Sequence, residues 1–162
     1  MKKRHTKESL FLLVVSIAIP LLAGFIGSIA TSGSVSSWYQ TINKPSFNPP
    51  DWVFGPVWTT LFILMGISLY IVWSKGLKKK GVKKALSVFG VQLALNILWS
   101  FLFFGLKSPL YGLIEIIILW AAILYTIILF YRVSRTAAYL LIPYILWVSF
   151  AFVLNLAIFI LN

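Results

Sequence analysis

The sequence has no cysteine and only one histidine, His5, which lies in a polar N-terminal stretch. Without cysteine, disulfide bonds and thiolate metal sites are excluded. The apolar part of the chain also has no imidazole, and haem-iron and zinc sites usually depend on His or Cys. We therefore expect no metal and no cofactor. Common catalytic groups are missing as well, since there is no Cys nucleophile, no histidine base in the apolar body and no pair of acids close in sequence.

Charge is also scarce. Only 10% of the 162 residues are charged and 60% are hydrophobic, whereas a soluble domain carries about 25% charge. With a mean hydropathy of +0.97, this composition predicts an integral membrane protein. The net charge of +11 is accounted for by membrane topology, because basic residues collect in cytoplasmic loops. We expect membrane lipid as a partner and no nucleic acid.

Five segments have the length of about 20 mostly apolar residues that a membrane-spanning helix needs. They run from about 10–30, 53–73, 85–105, 110–130 and 137–161. The sequence therefore predicts an all-α fold, in which residues 1–162 form a single domain of five transmembrane helices with a lid loop at 31–52. The first run follows basic residues, as in a secretory signal, but it is longer than the apolar core of a signal, so we expect a retained helix.

The basic residues predict an orientation. The N-terminal tail has four, the loop at 75–84 has six lysines, and the loop after the fourth helix has Arg132 and Arg135. The opposite side has only Lys44 and Lys107. By the positive-inside rule, we expect a cell-membrane protein with a cytoplasmic N-terminus and an external C-terminus.

The segment 38–58, WYQTINKPSFNPPDWVFGPVW, is the one long stretch that cannot be helical throughout. Its four prolines restrict the backbone before folding, so an ordered loop costs less entropy here. The restricted backbone then holds the three tryptophans of this segment in fixed positions. A simple connection between helices needs neither feature, and we interpret the segment as a lid over a cavity.

Polar and aromatic side chains recur on one face of several predicted helices, with spacings such as i, i+4, i+7 and i+11. They share a depth in the outer half of the bundle, beneath the lid. This pattern predicts an aromatic pocket with a few polar groups, opening to the non-cytoplasmic side. The predicted ligand-binding residues are Trp38, Trp52, Trp58, Asn96, Trp99, Tyr144, Trp147, Ala151 and Asn155.

Three polar residues in the spans have two interpretations each. Asn96 and Asn155 either hydrogen-bond between helices or contact a ligand. Glu115 is either a neutral acid hydrogen-bonded to a neighbour or a proton or cation site.

Other residues have simpler assignments. Gly90 and Ala94 form a small-xxx-small pair on the third helix, which indicates close helix contact, such as a homodimer. The aromatic residues near helix ends are typical of the interfacial belt; these are Trp38, Tyr39, Trp73 and Tyr131.

Taken together, the motifs resemble one family. They are WY at 38–39, KPSFNPP at 44–50, WVFGPVW at 52–58, QLALN at 92–96, WS at 99–100, LFFG at 102–105, PY at 143–144, WVSFA at 147–151 and LN at 154–155. This combination resembles the tryptophan-rich sensory protein/translocator protein family, TspO/MBR, whose mammalian members are the peripheral-type benzodiazepine receptor. The resemblance covers most of the chain from about residue 10.

The resemblance implies a five-helix bundle, commonly a homodimer, that binds porphyrins such as protoporphyrin IX and benzodiazepine- or isoquinoline-type drugs. It also implies a link to light- and oxygen-dependent porphyrin breakdown, for which Trp58 and Trp147 match the implicated tryptophans. Animal members carry a C-terminal sterol motif with a tyrosine and a basic residue. This chain reads LAIFILN after Asn155, so sterol binding by that motif is not expected.

Three hypotheses follow. The first is a porphyrin-binding sensor or receptor, with Lys44 or Lys107 at the rim to meet propionates. The second is a light-dependent porphyrin-degrading enzyme with Trp58 and Trp147 as electron donors. The third is a porphyrin or lipid transporter, although five spans cannot form two equal inverted repeats.

Overall fold

The computed structural model describes the backbone of residues 2–162 and the side chains from Lys7 onward. The side chains of Lys2, Lys3, Arg4 and His5, which entered the predictions above, lie outside the described part. The helices are α1 (Lys2–Val35), α2 (Trp38–Thr41), α3 (Asp51–Trp73), α4 (Val82–Ser100), a π-helical turn (Phe101–Gly105), α5 (Pro109–Val133), α6 (Arg135–Leu140) and α7 (Ile142–Leu161).

Five helical segments are long and apolar enough to cross a membrane: Lys7–Val35, Asp51–Trp73, Val82–Gly105, Pro109–Val133 and Arg135–Leu161. The described part of the chain contains no strand. The prediction of an all-α membrane bundle is therefore confirmed. The helix bounds differ in three places. The helix α1 begins at Lys2 and continues to Val35, the short helix α2 lies within the predicted lid loop, and the fifth span is divided into α6 and α7.

The interior of the bundle is closely packed at its lysine-rich end. Val82, Ala85, Phe130 and Ala137 are fully buried there, and the Phe89 and Phe130 rings stack with centroids 5.7 Å apart. Such close packing leaves no space for a ligand between α4 and α5 at these rings.

Helices α1 and α3 pack against each other through a glycine. A Cβ atom added to Gly66 would lie 2.9 Å from the Ser16 carbonyl oxygen and would also meet the backbone of Ile17. Only a residue without a side chain allows the two backbones to come this close. The contact therefore fixes how far apart the two helices stand.

The end of the third span is a π-helical turn. The Leu106 amide donates to the Phe101 carbonyl, five residues back, at 2.8 Å, and the Ser108 amide donates to the Phe103 carbonyl at 3.2 Å. Such wider turns occur frequently at functional sites. Here the turn carries Phe103, which is buried, into the interior of the bundle.

The loop between α2 and α3 is held by side-chain hydrogen bonds. The Tyr39 hydroxyl donates to Asn48 Oδ1 at 2.7 Å, and Lys44 Nζ donates to the Tyr39 carbonyl at 2.9 Å. Asn162 Oδ1 accepts from the Asn43 amide at 2.9 Å, and Asn162 Nδ2 donates to the Asn43 carbonyl at 2.9 Å. The loop is thus tied both to itself and to the end of α7.

The predicted belt position of Tyr39 is wrong. Its ring is only 3% exposed and packs against Phe103 and Phe104, with centroids 6.4 and 5.7 Å away. The hydrogen bond to Asn48 satisfies the hydroxyl inside the protein, so the ring does not need the membrane interface.

Candidate functional site

A cavity of about 560 Å³ lies in the half of the bundle below α2. Its size falls within the range of about 300–1,000 Å³ that is typical of small-molecule sites. It is lined by α1, α2, α3, the end of the third span and α7. The lining residues are Leu21, Gly24, Phe25, Gly27, Ser28, Thr31, Ser32, Val35, Ser36, Tyr39, Asp51, Phe54, Gly55, Trp58, Thr59, Phe62, Asn96, Trp99, Ser100, Phe103, Phe104, Trp147, Ala151, Leu154, Asn155 and Ile158.

Aromatic rings in fixed pairs form much of the wall. Trp99 stacks on Phe103 at 5.1 Å with an interplanar angle of 15°. Trp58 stacks on Phe62 at 5.5 Å with an angle of 27°. Each ring is held by its neighbour, so little side-chain freedom is left for a ligand to remove. Such a wall suits a flat apolar molecule, which can stack or pack edge-on.

Polar groups on the cavity wall join the helices. Asn96 Nδ2 donates to the Tyr144 hydroxyl at 3.1 Å, and this hydroxyl donates to Gln92 Oε1 at 3.0 Å. Asn155 Nδ2 donates to the Pro109 carbonyl at 2.8 Å. Both asparagines therefore bond between helices, as one interpretation predicted. Because both also line the cavity, the ligand contact stays a prediction.

One indole differs from the others. Trp147 Nε1 is buried and has no hydrogen-bond partner among the described residues, while its ring lines the cavity. An unpaired buried donor costs free energy.

The mouth of the cavity lies between two helices. The exposed lining residues lie on α1, at Ser36 directly after α1, or on α3. Spacings of four place Ser28, Ser32 and Ser36 on one stripe and Asp51, Gly55 and Thr59 on the other. The mouth is therefore a polar cleft in the side of the bundle, near the end that carries α2.

The charge at the mouth is negative. Among the described side chains that line the cavity, Asp51 alone is charged, and its Oδ2 accepts from Gln40 Nε2 at 2.7 Å. Lys44 and Lys107, predicted at the rim, do not line the cavity. Lys44 lies instead over the Tyr39 ring, 4.6 Å from its centroid. An anionic ligand would thus meet one like charge at the entrance.

The pKa of Tyr39 is also shifted by its surroundings. Burial raises the pKa of Tyr39 to about 12, and the carboxylate of Asp51 adds to the rise, while the hydrogen bond to Asn48 acts in the opposite direction. The phenol is therefore neutral throughout the physiological range and acts as a hydrogen-bond donor within the loop.

The structure brings together six of the nine predicted ligand-binding residues. Trp58, Asn96, Trp99, Trp147, Ala151 and Asn155 all line the cavity. The other three lie elsewhere. Trp52 is 75% exposed, Trp38 packs edge-on against Phe103 at 5.6 Å, and Tyr144 is buried behind Asn96.

Glu115 lies outside the cavity lining, buried on α5. Neither of its carboxyl oxygens has a hydrogen-bond partner among the described residues. The expected bond to a neighbour is therefore not present. The alternative, a proton or cation site, stays a prediction.

The contribution of α1 was not foreseen. Its residues Gly24, Gly27, Ser28 and Thr31 line the cavity, but small residues in a span predict close helix packing and carry no mark of a binding site. Their spacing on one helical face was the available signal. Phe54 and Tyr39 were also missed as lining residues, since their direction depends on the fold of the loop.

Comparison with known proteins agrees with this architecture. Residues 16–161 match the TspO/MBR family. The chain belongs to the TspO/MBR family.

Relatives of this family member come from all three domains of life. The tryptophan-rich protein TspO of Chlorobaculum tepidum is 48% identical over 155 residues, covering 96% of this chain and 98% of that protein. The protein of the same name from Archaeoglobus fulgidus is 50% identical over 150 residues, covering 93% and 96%. The human translocator protein is 40% identical over 138 residues, covering 84% and 81%. With five spans, this TspO/MBR member is a multi-pass membrane protein.

Proposed function

We propose that this chain is a membrane receptor or sensor of the TspO type that binds a tetrapyrrole such as protoporphyrin IX, or a similarly flat apolar molecule, in the cavity. The observation that carries the proposal is the composition of one wall. Trp58, Trp99 and Trp147 face a single space of about 560 Å³, and Asn96 and Asn155 add polar groups to it. Stacking on indoles and a few fixed polar contacts are what binding of a flat macrocycle requires.

Tryptophan fluorescence tests binding. Purified protein in detergent is titrated with protoporphyrin IX in darkness, and we expect saturable quenching at micromolar ligand. Ala151→Phe, which fills the cavity, should weaken binding at least tenfold, and Trp147→Phe by about two- to tenfold. Trp52→Phe is the matched control, because Trp52 is exposed and outside the cavity. Absence of saturable quenching, or an equal loss in the control, would contradict the proposal.

A second candidate function is light- and oxygen-dependent porphyrin degradation. It is favoured by the position of Trp58 and Trp147, which line the same cavity and are oxidisable. In this scheme, an indole donates an electron to the photo-excited porphyrin, which passes it to dioxygen to give superoxide. The indole radical cation then takes an electron from the porphyrin, so that the porphyrin is oxidised, dioxygen is reduced and the indole is restored. The same titration in light distinguishes the candidates. Loss of the porphyrin absorption bands, faster than without protein and slowed by Trp58→Phe or Trp147→Phe, indicates an enzyme; stable bands indicate a receptor or carrier.

Transport is a third candidate. Accumulation of porphyrin inside sealed vesicles that contain the protein, absent from protein-free vesicles, would indicate a transporter. A receptor leaves the porphyrin at equilibrium across the membrane.

We also propose that the chain lies in the cell membrane with the lysine-rich loop in the cytoplasm. The absence of native cysteine makes this simple to test with single-cysteine variants. An impermeant maleimide added to intact cells should label Gln40→Cys and leave Lys79→Cys unlabelled until the cells are opened. The reverse pattern would overturn the orientation.

Self-association as a homodimer is proposed from α4. Gly90 and Ala94 are both exposed there, as a small-xxx-small contact surface requires. Ala94→Cys should form an intermolecular disulfide in membranes under oxidation. Tyr111→Cys, exposed on α5, is the control that should not.

A further inference from the structure

The mouth of the cavity has a negative charge that no described basic residue neutralises. Asp51 is the one charged side chain among the described lining residues, and it is exposed at the start of α3. Its Oδ2 accepts from Gln40 Nε2 at 2.7 Å, whereas its Oδ1 makes no hydrogen bond or ion pair with a described residue. One carboxylate oxygen is therefore available to a ligand.

The hydroxyl groups beside this carboxylate have already used their hydrogens. The Ser28 hydroxyl donates to the Phe25 carbonyl at 2.7 Å, and the Thr59 hydroxyl donates to the Gly55 carbonyl at 2.9 Å. The Thr31 hydroxyl donates in the same way to the carbonyl four residues back, at 3.1 Å. Since a hydroxyl has one hydrogen and two lone pairs, these groups can offer a ligand only acceptor oxygens.

The donors closest in sequence to the mouth are also engaged. Lys44 Nζ donates to the Tyr39 carbonyl at 2.9 Å and lies over the Tyr39 ring. Gln40 Nε2 donates both to the Val35 carbonyl at 3.0 Å and to Asp51, which uses both hydrogens of its amide. A carboxylate arm of a ligand would therefore find neither of these groups free to pair with it.

Asp51 lies on the same face of α3 as part of the indole wall. Asp51, Gly55 and Trp58 follow one another at i, i+4 and i+7, and all three line the cavity. With a rise of about 1.5 Å per residue, Asp51 is about 10 Å from Trp58 along the helix. No atom lies within 4 Å of the position where a Cβ on Gly55 would stand. A ring stacked on Trp58 can therefore reach Asp51 with a flexible side arm.

We propose that the cavity selects flat apolar ligands with a side arm that ends in a protonated amine, the ring lying against Trp58 and Trp99 and the ammonium group at Asp51. This inference rests on the function proposed above and narrows its class of ligand. An ammonium group has a positive charge and three N–H donors, which match a mouth of acceptors with one carboxylate. Protoporphyrin IX still binds, but its two carboxylates are repelled by Asp51.

Three porphyrins with the same ring measure this selectivity. They are protoporphyrin IX, its neutral dimethyl ester, and its diamide with ethylenediamine, which ends in two ammonium groups. Each is titrated in darkness against the full-length protein by tryptophan quenching, in an uncharged detergent that does not concentrate ions. We expect the amine to bind about two- to fivefold more tightly than the ester, as one charge interaction in water allows. Equal affinities for the amine and the ester overturn the inference.

The variant Asp51→Asn tests the carboxylate. It should abolish the preference for the amine over the ester and leave the affinity for the ester unchanged. Glu8→Gln is the matched control, because it removes the same charge from an exposed residue of α1 that does not line the cavity. The control should keep the preference. If the two variants lower it equally, the net charge of the protein causes the preference, and the inference is refuted.

The neutral ester separates this inference from the proposed function. Saturable quenching by the ester without an advantage for the amine leaves the porphyrin site intact and refutes the selectivity for a cation. If none of the three porphyrins quenches saturably, the site itself is refuted, and the inference with it. An advantage of the amine that declines as the salt concentration is raised supports the inference, since salt screens exposed charges.

Discussion

The Tyr144 hydroxyl donates a hydrogen bond to Gln92 Oε1 at 3.0 Å, which joins α7 to α4 behind the cavity. The same hydroxyl accepts from Asn96 at 3.1 Å. Tyr144 and Gln92 are each 1% exposed. This buried pair therefore holds in place the asparagine that faces the cavity.

Tyr144→Phe should destabilise the protein by about 1–3 kcal/mol, because it leaves two buried amide groups without their partner. Thermal unfolding in detergent measures the change. Tyr125→Phe is the control, since that side chain is 41% exposed. Equal shifts in melting temperature for the two variants would show that the buried network contributes nothing.

Gly66→Ala should also destabilise the protein, by about 1–3 kcal/mol, because the added methyl group overlaps the backbone of α1. Gly33→Ala, on α1 with no atom within 4 Å of its added Cβ, should be neutral or stabilising by up to about 1 kcal/mol. Unfolding by increasing SDS compares the two. A Gly66→Ala variant as stable as Gly33→Ala would mean that the helices can move apart at no cost.

Asp51→Asn should strengthen binding of protoporphyrin IX, because it removes the charge at the cavity mouth. A single charge about 4 Å away in water contributes about 1 kcal/mol, so we expect a two- to fivefold gain. The amide can still accept from Gln40. The neutral dimethyl ester of the same porphyrin is the control and should bind both proteins equally, and a gain for the ester as well would exclude an electrostatic cause.

Asn162→Ala should loosen the loop between α2 and α3, because it removes the reciprocal hydrogen bonds with Asn43. Hydrogen exchange at the Asn43 amide, which donates to Asn162 Oδ1, should become faster by several-fold. Each such bond contributes about 0.5–1.5 kcal/mol. Exchange in the helices α3 and α5 serves as the internal reference, and an unchanged rate at Asn43 would show that other contacts hold the loop.

The sequence was sufficient where a periodic face decided the outcome. Asn96 and Trp99 on one helix, and Trp147, Ala151 and Asn155 on another, were predicted to face one space and do so, since a helix fixes which residues share a side. The sequence was insufficient where the direction of a side chain depends on the conformation of a loop. Trp52 and Tyr39 are both aromatic residues near helix ends, yet the former is exposed and the latter buried, because a bond to Asn48 turns Tyr39 inward.

The contribution of α1 to the cavity could not be predicted for a different reason. Serine and glycine have no chemistry that distinguishes a cavity mouth from a helix contact, and Gly66 shows the same kind of residue used for close packing. Asp51 could be read as an ordinary residue at a helix start. Only the tertiary arrangement places it on the cavity.

Because the cleft between α1 and α3 opens to the side of the bundle, the relevant ligand concentration is the one in the bilayer. In the function proposed above, a flat apolar ligand dissolves in the lipid before it reaches the cleft, so the bilayer is the solvent from which it is taken. Its chemical potential is then set by its mole fraction among lipids, and an apparent affinity expressed per volume of water contains the oil–water partition of the molecule. Two compounds that fit the cavity equally well will thus differ in apparent affinity according to their partition into the bilayer.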